Sequence, residues 1–140
     1  MSKNDGVNWE PNKLIYASPD STICECCQPN IIFNQNRISI MFRNWINGSR
    51  DMYTIHSFDE GKTFKSIEKQ GEGTWKLNAC PMDGGSLAFT KENKVVSVWR
   101  REGNLFVSKE GIAQETKISD GRNASISAGQ KAISVVWHQQ

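Results

Sequence analysis

The sequence predicts an all-β protein of short antiparallel strands, and three observations carry that prediction. Apolar residues alternate at period two in brief runs, with almost no helical periodicity. Turn-forming residues bound each run. The runs also recur as similar phrases along the chain. The first run is Leu14-Ile15-Tyr16-Ala17 and the second Ile31-Ile32-Phe33. In Arg37-Ile38-Ser39-Ile40-Met41-Phe42-Arg43-Asn44-Trp45, the side chains of Ile38, Ile40 and Phe42 share a face. Asn47-Gly48 then signals a tight hairpin, because both residues tolerate the positive φ that such a turn needs. Asp51-Met52-Tyr53-Thr54-Ile55-His56 is the return strand. Ser86-Leu87-Ala88-Phe89, Val95-Val96-Ser97-Val98-Trp99, Leu105-Phe106-Val107-Ser108 and Ile133-Ser134-Val135-Val136-Trp137 complete the series. A brief turn near Ala113-Gln114-Glu115 is the one helical candidate.

The recurrence narrows the architecture. Asn36-Arg37-Ile38-Ser39-Ile40-Met41-Phe42 resembles Asn93-Lys94-Val95-Val96-Ser97-Val98-Trp99, and both resemble Gln130-Lys131-Ala132-Ile133-Ser134-Val135-Val136-Trp137. Arg37 precedes Lys94 by 57 positions and Lys94 precedes Lys131 by 37, so loops vary while strands repeat. Cys24 stands nine positions before Phe33 and Cys80 nine before Phe89, which aligns two first strands; Asn123-Ala124-Ser125-Ile126 supplies a third. A unit of roughly 40–55 residues with about four short strands is the signature of a β-propeller blade.

Composition excludes several classes. The 140 residues are 37% hydrophobic and 23% charged, with five Trp and six Phe, which is too apolar for a disordered chain. The net charge of +2 is spread evenly, without a Lys/Arg block, so neither nucleic acid nor a membrane surface is an expected partner. No apolar run approaches the ~20 residues of a membrane span. The amino-terminal residues lack the apolar stretch of an export signal. Cys24, Cys26, Cys27 and Cys80 are even in number but compressed, because Cys24-Glu25-Cys26-Cys27 does not match paired zinc knuckles and His56 and His138 are not spaced to complete a site. One disulfide between Cys80 and a cluster member, or four reduced thiols, is expected. A soft-metal site at these cysteines is the lesser alternative; no metal ligands and no cofactor are assigned.

Ser57-Phe58-Asp59-Glu60-Gly61-Lys62-Thr63-Phe64 carries the pattern S-x-D-x-G-x-T-aromatic. A short Asp accepts hydrogen bonds from turn amides, Gly supplies positive φ, the hydroxyls of Ser57 and Thr63 close the loop, and Phe64 folds back on the sheet. Ser108-Lys109-Glu110-Gly111 is a decayed counterpart. On this motif the chain resembles the sialidase-like (Asp-box, or BNR-repeat) β-propeller family. Cys24-Glu25-Cys26-Cys27, Arg50-Asp51 and Trp75-Lys76-Leu77-Asn78-Ala79-Cys80-Pro81-Met82-Asp83-Gly84 make the likeness closest to its bacterial members, over roughly residues 14–137. Asp-boxes are structural turns, so the likeness implies a fold and not a reaction.

The resemblance implies the following organisation. Residues 13–22 are an orphan outer strand, 23–70 a blade with the box, 71–119 a second blade, and 120–140 part of a third. About three blades leave faces uncovered, so a homodimer closing a ring of about six is expected; a fragment of a longer sialidase-like protein is the alternative. Family members are periplasmic or secreted, which sets the expected compartment against the lack of a signal. Tyr16 and Tyr53 are the two tyrosines, and neither stands in a nucleophile context, so no catalytic residue is assigned. The expected function is a non-catalytic module that binds a glycan or small anion at a cationic ring mouth through Arg43, Trp45, Arg50, Asp51 and Arg100. An exo-sialidase or related glycoside hydrolase, with its site assembled between chains, is the alternative.

Overall fold

The structure is a computed structural model that describes residues 1–20, 22–112 and 114–139. Among the described residues there is no helix and there are ten strands: β1 (Asn30–Asn34), β2 (Arg37–Ile46), β3 (Ser49–Ser57), β4 (Lys65–Lys69), β5 (Ser86–Phe89), β6 (Val95–Arg101), β7 (Asn104–Lys109), β8 (Thr116–Asp120), β9 (Arg122–Ala128) and β10 (Ile133–His138). They form three antiparallel sheets in chain order, β1-β2-β3-β4, β5-β6-β7-β8 and β9-β10. The all-β prediction is met.

Turn chemistry sets the hairpins. Asn47 and Gly48 have φ values of 51° and 75°, and Glu102 and Gly103 repeat the arrangement at 52° and 83°. Two successive left-handed residues match the twist of the flanking strands, which fixes Arg43 opposite Met52 and Trp99 opposite Phe106. Between β3 and β4, Ser57 Oγ receives the Gly61 amide at 2.8 Å, while Asp59 accepts the Thr63 amide at 2.8 Å and the Thr63 hydroxyl at 2.6 Å. Those Thr63 bonds, followed by one from Ser57, hold the Asp59 carboxyl well below the usual carboxylate range.

Packing joins the sheets in series. Met41 and Met52 of the first sheet meet Leu87, Val95 and Trp99 of the second in one apolar cluster. Ala88, Val96, Val98 and Leu105 meet Ala124 and Ile126 of the third in another. The first strands β1, β5 and β9 lie beside one another in turn. Strand β2 is buried on both faces, because Phe42 on its other side is covered by Tyr16 at a ring separation of 5.1 Å.

Several expectations need correction or completion. Residues 13–20 join no sheet; Tyr16 accepts Asn44 Nδ2 at 2.7 Å, and Lys13 reaches the carbonyls of Gly61 and Lys62. Leu14 is 81% exposed, so this segment has too little apolar surface facing the sheet to be held as a strand. A fourth strand per unit is expected, but β4 and β8 leave no run by which to place them, because each carries a single apolar residue, Ile67 or Ile118, on an exposed outer edge. Ala113 of the expected helical turn lies outside the described residues, as do Ser21 and Gln140; Gln114 and Glu115 are not helical.

The loop before β5 is pinned by close approach. A Cβ on Gly84 would stand 2.3 Å from the Gln28 carbonyl oxygen, a backbone atom with no rotamer to relieve it. Gly84→Ala is therefore expected to destabilise the fold by about 1–3 kcal/mol, read as a lower urea midpoint. An unchanged midpoint would show that this loop is not clamped.

Candidate functional site

The β2–β3 hairpin end gathers the arginines singled out from the sequence. Strand β2 brings Arg43 and Trp45, β3 brings Arg50 and Asp51, and β6 brings Arg100. The loop before β5 adds Asp83 and the turn before β1 adds three cysteines.

Arg43 is 1% exposed and acts as a staple. Its Nε and Nη2 donate to the Asp83 carbonyl at 3.1 and 3.0 Å. Nη1 donates to the Arg50 carbonyl at 2.7 Å and Nη2 also to the Arg100 carbonyl at 3.0 Å. Burial pulls this guanidinium below its ordinary value, while Cys27, Asp83 and Cys24 act in the opposite direction. Arg43 and Arg100 both lie over the Trp75 ring, at 5.4 and 5.5 Å from its centroid. Asp51 holds that ring in place by accepting the Trp75 amide at 2.8 Å and the Thr74 hydroxyl at 2.6 Å.

Arg50 and Arg100 are less committed. Arg50 sits 4.6 Å over the Trp45 ring and donates to Cys24 Sγ at 3.2 Å; its Nε has no partner. Arg100 Nη1 stands 3.7 Å from Asp83 Oδ2, and its Nε is also without a partner. Asp83 is 2% exposed, accepts the Asn123 amide at 3.0 Å through Oδ2, and leaves Oδ1 unpaired. Arg43 and Arg100 thus both reach the Asp83 residue, and Asp51 is a second buried carboxylate at the same end. The space bounded by Arg43, Arg50, Asp51 and Arg100 holds no water-sized void, so an anion would meet the outer edges of Arg50 and Arg100.

The structure brings the five expected ligand-binding residues together, but not in equal roles. Arg43 is spent on backbone carbonyls and Asp51 on the Trp75 amide and the Thr74 hydroxyl, Trp45 lies beneath Arg50, and Nε of Arg50 and of Arg100 is buried without a partner. Asp83 and Trp75 were not assigned to the site from sequence. Both belong to the Trp75…Cys80-Pro81-Met82-Asp83-Gly84 phrase, and that phrase was the available signal.

The four cysteines meet beside these arginines. Cys26 and Cys80 are joined as a disulfide, while Cys24 and Cys27 are buried free thiols. Cys24 Sγ lies 3.1 Å from Cys27 Sγ and 3.5 Å from Cys26 Sγ. Burial pushes the Cys27 thiol up, and its hydrogen bond with Cys24 adds to that; a backbone bond from Asp83 opposes them.

A second feature lies between the first two sheets. A cleft of about 450 Å³ is lined by His56, Glu68, Gln70 and Glu110 among others. His56 is 6% exposed with Nδ1 2.8 Å from Ser39 Oγ. Burial, then Arg37, hold its pKa below the ordinary value, which keeps it a neutral strand-face histidine. No protein-family model and no curated protein matches the chain.

Proposed function

We propose that the chain is a non-catalytic, sialidase-like propeller module that associates with itself and binds a small anion, such as the carboxylate of an acidic sugar, at its arginine-rich end. Each four-stranded meander is then one blade, stacked on its neighbour through the inner strands β1, β5 and β9. The observation that carries the reading is the excess of positive charge at the hairpin end: Arg43, Arg50 and Arg100 against Asp83 and Asp51, with the side chains of Arg50 and Arg100 partly exposed at its rim. Guanidinium forks of this kind suit a carboxylate. Self-association is supported by the apolar residues that β10 leaves uncovered, Ile133, Val136 and Trp137, which are 46%, 67% and 38% exposed.

The tyrosines support a binding role over glycoside hydrolysis. The Tyr16 hydroxyl is taken by Asn44, and burial with the nearby Asp51 raises the Tyr53 pKa, opposite to what an activated nucleophile requires. Two measurements test the reading. In solution the 15.8 kDa chain is expected to run at twice its mass; a well-folded monomer removes the ring. On a glycan array, Arg50→Ala is expected to lower binding to acidic glycans by about tenfold or more, the loss of one charged hydrogen bond. Equal binding by the variant, or turnover of a fluorogenic sialoside by the parent chain, contradicts the proposal.

A further inference from the structure

We propose that Cys24, Cys26, Cys27 and Cys80, with Cys26 and Cys80 reduced, form a four-sulfur site for a thiophilic d10 cation, Zn²⁺ before Cu⁺. This goes beyond the anion-binding reading and does not depend on it.

Geometry is the first argument. All four Sγ atoms lie within 4.8 Å of one another. Tetrahedral Zn²⁺ with Zn–S bonds of about 2.3 Å needs sulfurs about 3.8 Å apart. The Cys24–Cys27 and Cys24–Cys26 separations of 3.1 and 3.5 Å fall just inside that spacing, so modest shifts admit the ion once the Cys26–Cys80 bond opens. Cys24 and Cys27 also stand three apart across a turn, with the Cys27 amide 3.4 Å from the Cys24 carbonyl, which is the spacing of one zinc knuckle. Cys26 falls inside that turn, which is why the compressed sequence obscured it. The turn is tied to β2 by the Cys24 amide, which donates to the Arg43 carbonyl at 2.8 Å. The fourth sulfur arrives on the loop that Gly84 presses against Gln28.

Charge is the second argument. Arg43, Arg50 and Arg100 carry three positive charges against the two buried carboxylates Asp83 and Asp51, leaving a positive excess in a largely buried region. Four thiolates around Zn²⁺ carry two negative charges, which offset that excess. Arg50, 3.2 Å from Cys24 Sγ, already donates to one of the sulfurs and would orient it. An all-sulfur set selects soft cations over Mg²⁺ or Ca²⁺. Cys26 and Cys80 are exposed, so the ion has a path in.

The chemistry balances with a dithiol or phosphine as reductant. The reductant supplies two electrons, the Cys26–Cys80 bond breaks, and two protons complete the thiols. Zn²⁺ then forms four Zn–S bonds and releases four protons.

The test uses the full chain, reduced anaerobically with a phosphine, freed of reductant and titrated with Co²⁺ as an optical stand-in. One Co²⁺ per chain is expected, with sulfur-to-cobalt charge-transfer absorption and the intense visible bands of a tetrahedral thiolate site, bleached by one equivalent of Zn²⁺. Cys80→Ser changes an exposed loop residue and should fold; its Zn²⁺ affinity is expected to fall by more than the roughly 10- to 100-fold that an outer partner is worth. Cys26→Ser should behave alike. A parallel titration with a Cu⁺ chelate ranks the two cations, and cysteine-dependent binding of either at one per chain supports the site. No binding of either cation, a cobalt spectrum without sulfur charge transfer, or affinity unchanged in both variants overturns it. These readouts come from the metal, so they fail separately from the glycan experiment.

Discussion

Arg43→Met is expected to destabilise the protein by about 3–5 kcal/mol, a large share of what holds a domain of this size together. The arginine is 1% exposed, and its four hydrogen bonds reach the carbonyls of Asp83, Arg50 and Arg100. Those carbonyls belong to the loop before β5, the start of β3 and the end of β6, so one side chain ties the first sheet to the second. Methionine fills similar volume but leaves three buried acceptors unpaired, each worth about 1–3 kcal/mol. Arg43→Lys keeps the charge without the planar fork and is expected to lose about 2 kcal/mol or more. Urea denaturation of parent and variants measures both. A loss below about 1 kcal/mol for the methionine variant would mean that water or a shifted loop satisfies these carbonyls.

The second large effect lies at the opposite end of the same pair of sheets. Arg37 Nη1 and Nη2 engage Glu110 at 3.0 and 3.1 Å, and Nη1 also donates to the Asn93 carbonyl at 3.0 Å. The guanidinium lies between the rings of Phe58 and Phe89, 5.0 and 5.3 Å from their centroids. Its side chain is 7% exposed and that of Glu110 34%. Glu110→Ala leaves a buried cation unpaired and is expected to cost about 3 kcal/mol, the low end for such a pair because the carboxylate is partly solvated. Arg37→Met combined with Glu110→Met should recover much of that loss. If single effects add to within about 0.5 kcal/mol, the two residues are not coupled and the clasp is not a pair.

Acid provides a further reading of the same clasp. Burial raises the Glu110 pKa, but the Arg37 bond and the Val95 amide outweigh it, so the folded value lies below the ordinary one. The stabilisation is therefore complete above the unfolded glutamate value of about 4.3. It is lost as the pH falls through the lower folded value. The parent should show this acid loss and Glu110→Ala should lack that component.

Local chemistry was legible in the residues themselves. Asn47-Gly48 named its hairpin because both residues accept positive φ, and the Ser57–Phe64 phrase named its turn because Asp59 and Thr63 bond across four residues. The runs at 37–45, 95–99 and 105–108 read as strands because one or both faces are apolar. Strands β4 and β8 left no such trace, since an outer strand is held by its backbone ladder and needs little apolar surface. Leu14-Ile15-Tyr16-Ala17 gave the opposite error: its apolar residues suggested a strand, yet Tyr16 is used to cover Phe42.

The site divides in the same way. Arg43 and Arg100 could be picked from their places after recurring strands and Arg50 from its place after the hairpin turn, but not their separate roles. Whether a guanidinium faces solvent or three carbonyls depends on which loops pack above it, and Asp83 stands 40 positions from Arg43 in the chain. The cysteines show the division most sharply: Cys80 reaches Cys26 across 54 residues, so their common location follows from sheet stacking and not from spacing. The amino-acid sequence by itself determined the strands that carry an apolar face, their turns and their repetition, because these arise from contacts between residues near one another in the chain. Only the tertiary structure decided which charges and sulfurs share one buried region, because that depends on how the finished sheets lie against each other.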